Sequence, residues 1–178
     1  MVTREEAIAR FHQDDTVVRC LARPTQAALV PRAIERVQEL SNAWFFPLVF
    51  IGSVGLVVDK EDGRLFRFGS AFGPDTWIWA YERGFRWDLC DLVVTEVREM
   101  DRALQVLDGL NLARRGWGPK RSESFSGAEL TELLAQLPAR FPSQKLWMSF
   151  DALQAMDAHP PFTYVIERPM NPTVPAAG

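Results

Sequence analysis

Between Trp44 and Gly84 the chain reads WFFPLVFIGSVGLVVDKEDGRLFRFGSAFGPDTWIWAYERG. Apolar runs flank the polar turn Asp59-Lys60-Glu61-Asp62-Gly63, and a Trp-rich segment follows. Runs of β-branched and aromatic residues broken by a polar, Gly-containing cluster specify antiparallel strands joined by a tight turn. The expected order is a strand from Trp44 to Ile51, a strand from Val54 to Asp59, a turn, a strand through Leu65, Phe66 and Phe68, and a helix from about Asp75 to Arg83. Pro47 has no N–H for a ladder bond, so it implies an edge or a bulge. Pro74 suits a helix start and Gly84 a helix C′ position. Trp44, Val57 and Phe66 are the expected core. The stretch is rich in architecture and poor in catalytic chemistry, which favours a binding protein.

The flanking segments are read in the same way. Thr3 and Glu6 have capping-box spacing for a helix over residues 3–13, with Ala7, Ile8 and Phe11 on one face. Val17-Val18-Arg19-Cys20-Leu21 suits a strand. Residues 32–40 carry both helical spacing and a hairpin signal, and a strand is favoured. Trp87 to Arg98 reads as a strand, and Met100 to Leu110 as an amphipathic helix. Ser126 and Glu129 form a second capping box, opening a helix to Leu137 that Pro138 ends. Residues 143–158 suit a helix, with Leu146 to Phe150 also compatible with extended chain. Phe162 to Glu167 reads as a last strand, and residues 169–178 as a disordered tail. The fold class expected is α+β with a mainly antiparallel sheet. Residues 1–168 would form a single domain, with a sheet core over 34–84 and a helical C-terminal elaboration over 87–167.

Composition narrows the function classes. The net charge of −3 disfavours nonspecific nucleic-acid binding. The longest apolar run, Ala43 to Ile51, is too short for a membrane span. The N-terminus lacks the basic and apolar regions of a secretory signal, so a cytoplasmic location is expected. Cys20 and Cys90 lie far apart without CxxC spacing and are expected to be reduced core thiols.

His12 and His159 have no second metal-type ligand at strand or helix spacing. HExxH, paired CxxC, GxSxG and phosphate-loop motifs are missing from the sequence. No metal, cofactor or catalytic residue is expected. Gly52-Ser53-Val54-Gly55 precedes strand-like residues and reads as a turn rather than a phosphate loop. On an unbroken strand Asp88 and Glu96 share a face and Asp91 points the other way. These acids suit solvated positions, or a surface that meets Lys or Arg of a partner. Arg114-Arg115-Gly116-Trp117-Gly118-Pro119-Lys120-Arg121 is the densest cationic cluster, read as a solvated loop before a phosphate grip. On the Trp77–Arg83 helix, Trp77 and Trp79 point to different sides, so one leaves the core. Trp79 with Arg83 at i+4 makes a candidate aromatic–cation anchor.

Trp44-Phe45-Phe46, the run from Gly55 to Asp59, the Glu61-Asp62-Gly63 turn, Phe68-Gly69-Ser70-Ala71 and the Trp77 to Glu82 helix together resemble the YrhB-like immunity protein 35 family. Trp77-Ile78 and Tyr81-Glu82 occupy that family's helix pattern. The resemblance covers about residues 34–84, and Val54-Gly55 stands where the family usually has Pro before its second strand. It implies a protein that neutralises a bacterial toxin by stoichiometric binding, without catalysis. The contact residues expected are Trp79, Arg83, Trp87, Asp88 and Asp91, with Glu61-Asp62 as a second patch. The partner expected is a cognate toxin, with neither nucleic acid nor membrane. Two other classes stay open. One is a small-molecule or nucleotide-binding regulator. The other is an enzyme with scattered carboxylates that include Asp59 and Glu96.

Overall fold

The capping box at Thr3 opens the first element of the computed structural model, which describes residues 1–50, 52–114 and 123–169. The chain divides into two units, Met1–Glu82 and a second beginning at Arg83. Helix α1 spans Arg4–Gln13 and buries Ala7 and Phe11. Thr3 Oγ1 accepts from Glu6 N at 3.2 Å, while the Glu6 carboxylate accepts from Thr3 N at 2.8 Å.

Three short helices follow: α2 (Asp15–Leu21), α3 (Pro24–Ala27) and α4 (Leu29–Glu35). The strand expected over Val17–Leu21 is therefore helix. Asp14 decides it, because its carboxylate accepts from Thr16 N at 2.8 Å and caps α2. Thr16, Val17 and Cys20 then turn inward together, and their burial overrides the strand preference of Val17-Val18. The strand favoured over 32–40 shrinks to β1, Gln38–Glu39, behind α4.

The first sheet has the order β1-β2-β3-β4, all antiparallel, with β2 at Ala43–Phe46, β3 at Ser53–Asp59 and β4 at Leu65–Gly69. Strand β2 is central, so it stops at Phe46, one residue before the proline that cannot donate. Phe50 and Ser53 exchange backbone bonds of 3.1 and 3.0 Å, and Gly52 takes φ +87°. Residues 52–55 thus serve as turn and strand entry. Helix α5 (Pro74–Glu82) closes the unit, and Gly84 beyond it takes φ +94°.

The sheet is covered on both faces. Phe46, Leu56 and Val58 meet Ala7, Phe11, Val17, Cys20, Val30 and Ala33 of the N-terminal helices. Phe11 stacks on Phe46 at 4.4 Å. Ala43, Phe45, Val57 and Phe68 meet Tyr81 of α5 on the other face. Of the expected core, Val57 is fully buried, whereas Trp44 and Phe66 are half-buried at its margins. Burying one such large side chain contributes about 2–3 kcal/mol. Gly55 is needed for this packing, because a Cβ there would lie 2.3 Å from the Phe45 ring and 2.9 Å from Phe46 O.

The second unit is where the expected helical elaboration gives way to a sheet. Its strands are β5 (Cys90–Val97), β6 (Ala139–Gln144) and β7 (Phe162–Glu167), antiparallel in the order β6-β5-β7. Between β5 and β6 run α6 (Met100–Gly109) and α7 (Gly127–Leu134). A 3-10 turn over Leu146–Ser149 and α8 (Phe150–Met156) lead to β7. Ser126 and Glu129 form the capping box that the spacing predicts. The α7 helix stops at Leu134, short of Leu137. Helix α6 buries Ala103 and Leu107, α7 buries Leu130 and Leu134, and α8 buries Phe150, Leu153 and Met156. The Phe125 edge against the Phe141 ring, 5.4 Å between centroids, puts the entry to α7 on the Leu92 face of the sheet.

Two irregularities shape β5. An extra residue in β6 beside Asp91 puts Ser143 at φ +51°. A second shift falls between Val94 and Glu96 against β7. Residues 115–122, most of the cationic cluster, and 170–178, most of the expected tail, lie outside the described residues.

Candidate functional site

The hairpin β3–β4 turns on a carboxylate. Asp59 is buried at 3% exposure, accepting from Glu61 N at 2.7 Å through Oδ1 and from the Tyr81 hydroxyl through Oδ2. Asp62 Oδ1 accepts from Arg64 N at 2.9 Å, and Gly63 takes φ +71°. A Cβ at Gly63 would lie 2.4 Å from the Arg10 guanidinium carbon. Glu61 and Asp62 are thereby held side by side and exposed on a turn whose backbone is fixed.

Beside that turn sits Lys60, a residue the sequence reading did not single out. Only 9% exposed, its ammonium donates to Glu39 Oε1 at 2.8 Å and to Leu40 O at 2.7 Å, and lies 5.0 Å from the Trp44 ring centroid. Trp44 Nε1 donates to Val2 O at 3.1 Å, and Val2 N donates to Lys60 O at 2.7 Å. This ties the N-terminal residues to the hairpin. The available signal was the register, which puts Trp44 opposite Val58, two residues before Lys60.

On α5, Trp77 belongs to the scaffold. Its Nε1 donates to Gly69 O at 2.7 Å and its ring stacks on Phe68 at 5.5 Å. Trp79 is half-buried. In the second unit Arg83 is exposed and ion-paired with Asp157. Trp87 is half-buried, Asp88 is exposed, and both precede β5. Trp87 Nε1 and the Tyr164 hydroxyl are buried donors with no hydrogen-bond partner among the described residues. Burial pushes the Tyr164 phenol up to about 12, so it stays a neutral donor.

Asp91 differs from the other expected contacts because it is 1% exposed. Its Oδ2 accepts from Arg140 at 2.8 Å and its Oδ1 from Ser143 N at 2.8 Å. Arg140 also donates to Glu167 at 2.6 Å. One guanidinium on β6 thus clamps carboxylates on β5 and β7. The bonds to Glu167 and Asp91 push the guanidinium pKa further up.

Glu96 is exposed and accepts from the Thr163 hydroxyl at 3.0 Å. The register pairs Asp91 with Glu167, Val93 with Val165 and Glu96 with Thr163. Glu96 therefore shares a face with Asp91, where strict alternation would separate them. The extra residue at the Thr95 bulge reverses the alternation.

Other candidate chemistry is accounted for locally. Cys20 and Cys90 are buried free thiols. Burial pushes the Cys90 thiol up to about 12, which keeps it protonated and a poor nucleophile. His12 and His159 are exposed. Among the described residues, no group of three or more His, Cys, Asp and Glu could hold a metal ion. Nor is any described helix long and apolar enough to cross a membrane. Arg114 of the cationic cluster pairs with Glu129 at 2.6 Å and Glu123 at 3.6 Å.

An open pocket of about 230 Å³ lies between the end of α6 and the 3-10 turn. Leu110, Leu112, Leu146 and Met148 supply its apolar wall, Lys145 its one charge, and no carboxylate lines it. No family model matches the chain, and neither does any curated protein or solved structure.

Proposed function

We propose that this chain is an immunity protein that binds a cognate bacterial toxin one to one in the cytoplasm and neutralises it without chemistry of its own. The observation that carries this reading is the division of the carboxylates. The two buried ones, Asp59 and Asp91, are committed to a turn and to a three-strand clamp. Glu61, Asp62 and Asp88 remain at the surface, with the first two on a turn of fixed backbone. Preorganised surface charges suit recognition, because little entropy is lost when they meet a partner. The β2–β3–β4–α5 order also agrees with what the resemblance implies for the Trp44 to Glu82 stretch.

In this reading Glu61 and Asp62 face cations of the toxin, and Trp79, Arg83, Trp87 and Asp88 supply further contacts. Asp91 is left to the clamp. The test is co-expression with a toxin encoded beside this gene. Rescue of growth and a one-to-one complex are expected, and Glu61→Lys with Asp62→Lys should weaken binding about tenfold or more. A neighbouring toxin that neither binds the chain nor is rescued by it overturns the proposal.

A second reading, a small-molecule-binding regulator, is favoured by the pocket beside Lys145. It predicts a metabolite that co-purifies under native conditions and is lost on Leu146→Trp, which would fill the space.

A further inference from the structure

The two sheets have four edge strands, and three of them are closed to further pairing. Strand β1 is two residues long. Strand β6 carries Pro142, which cannot donate, and Ser143 at φ +51°, and its Gln144 is tied to Ala113. Along β7 the backbone at Gly84 lies against Ile166, whose carbonyl oxygen would be 3.4 Å from a Cβ placed there. Strand β4 has none of these devices. It has five residues, holds no proline and pairs only with β3. The extra residue at its register shift, Val54, belongs to β3. An edge left in this form presents a row of free backbone donors and acceptors.

The register identifies the free groups. Lys60 N donates to Asn42 O and Asp59 N to Arg64 O, so alternate residues of β3 bond to β2 and to β4. Val57 opposite Phe66 and Gly55 opposite Phe68 are then the hydrogen-bonded pairs of β3 and β4. Leu65 and Arg67 therefore turn both N–H and C=O away from the sheet. Among the described residues nothing bonds to these four groups. The free edge ends at Gly69, whose carbonyl accepts from Trp77 Nε1. The side chains divide by face. Leu65 and Arg67 lie on the side of Leu56 and Val58, toward the N-terminal helices. Phe66 lies on the α5 side, half-buried, with its ring centroid 5.6 Å from that of Tyr81.

Such an edge is complementary to itself. Placed antiparallel on a two-fold axis through Phe66, two copies bring Leu65 of each opposite the partner's Arg67, and each of these pairs exchanges both of its free bonds. Four hydrogen bonds then frame the two Phe66 residues. These meet as a non-hydrogen-bonded pair with Cα atoms about 4.5 Å apart, the closest cross-strand position. Arg67 is the one charge on the strand and would repel its own copy directly opposite. In this register it faces the partner's Leu65, while its guanidinium stays 3.7 Å from Asp14 Oδ1. We infer that the chain forms a weak two-fold dimer by antiparallel pairing of β4 with β4 of a second copy, which joins two four-stranded sheets into one of eight. A foreign strand would find the same donors and acceptors but not the matched dyad at Phe66. The inference is independent of the immunity reading, which rests on other residues.

The experiment follows the isotope-labelled full chain by sedimentation and amide exchange up to a concentration of about 2 mM. A dissociation constant of about 0.1–1 mM is expected, because the pairing is short. With rising concentration the Leu65 and Arg67 amides should gain protection, whereas those of Phe66 and Phe68, already bonded to β3, should not change. Arg67→Pro removes one outward donor at an edge position that tolerates proline, and should weaken the dimer about tenfold or more. Arg67→Leu keeps the donor and sets an aliphatic pair across the axis, so it should tighten the dimer about threefold. Circular dichroism checks that each variant is folded, and Arg67→Leu decides the matter if Arg67→Pro is not. A chain that is monomeric at the highest concentration overturns the inference. So does a dimer whose new protection lies outside β4, or one that the folded variants leave unchanged. Protection of the Leu65 and Arg67 amides at every concentration overturns it as well, since another part of the same chain then covers the edge.

Discussion

The first unit's sheet is sealed by apolar layers on both faces, whereas the second unit's sheet carries an ionic clamp across one of them. In the first, Phe46, Leu56 and Val58 pack one way and Phe45, Val57 and Phe68 the other. In the second, Arg140 reaches across β5 to bond Asp91 and Glu167, beside Val93. The two sheets therefore fail differently. A doubly packed sheet is sensitive to added volume, while a clamped sheet is sensitive to the removal of one charge.

The largest effect is expected at Gly55→Val. The new side chain would collide with the Phe45 ring and Phe46 O, and a loss of about 3 kcal/mol or more should appear in urea unfolding. A loss under about 1 kcal/mol would show that the first sheet yields more readily than its packing implies.

Next comes Arg140→Met, which leaves Asp91 buried without its cation. The guanidinium is one-third exposed, so the expected cost is about 2–3 kcal/mol, below that of a fully buried pair. Adding Asp91→Asn should recover part of it. If the double variant is no better than the single one, the clamp is not what unites these strands.

Gln144→Leu tests the second sheet without altering charge. The Gln144 side chain accepts from Ala113 N at 2.7 Å and donates to Ala113 O and Pro142 O at 2.8 and 2.7 Å. Orphaning these groups should cost about 1–2 kcal/mol. The measurement is the urea midpoint, with loss of hydrogen-exchange protection at Ala113.

The smallest effects compare the two capping boxes. Bonds from the Thr3 backbone and hydroxyl hold the Glu6 carboxyl below its ordinary range. Those from Ser126 do the same for Glu129, with Arg114 adding to it. A carboxyl lowered on folding contributes stability above its unfolded pKa, and this is lost as the pH falls through the lowered folded value. Glu129→Gln should therefore lower the urea midpoint slightly at neutral pH, more than Glu6→Gln does. Both differences should vanish as the pH drops well below about 4. A difference that persists in acid would falsify the electrostatic account.

The first sheet was legible because its strands are dense in β-branched and aromatic residues and its turn is polar with Gly63. Strand β3 is within one residue of expectation, and β7 agrees with it. Strand β6, ARFPSQ, was not legible. Two of its six residues are charged or amide, one is proline, and its order comes from partners on β5 that no local pattern reveals. Helix α2 was hidden for the opposite reason, since its β-branched pair mimics a strand until Asp14 is recognised as a cap. Among the site residues, the exposure of Glu61 and Asp62 follows from their turn. The burial of Asp91 depends on Arg140, forty-nine positions away.

The bulge at Thr95 has a consequence for descent. It works on this strand as a frameshift works on a message, since every residue after it is read onto the opposite side. A lineage that kept Thr95 but straightened the bulge would swing the Glu96 carboxylate toward the side that now holds Leu92 and Val94, whereas deletion of the residue would leave it opposite Thr163. Relatives of this chain should therefore keep the bulge or drop its one residue outright, because either leaves the end of β5 facing as it does now.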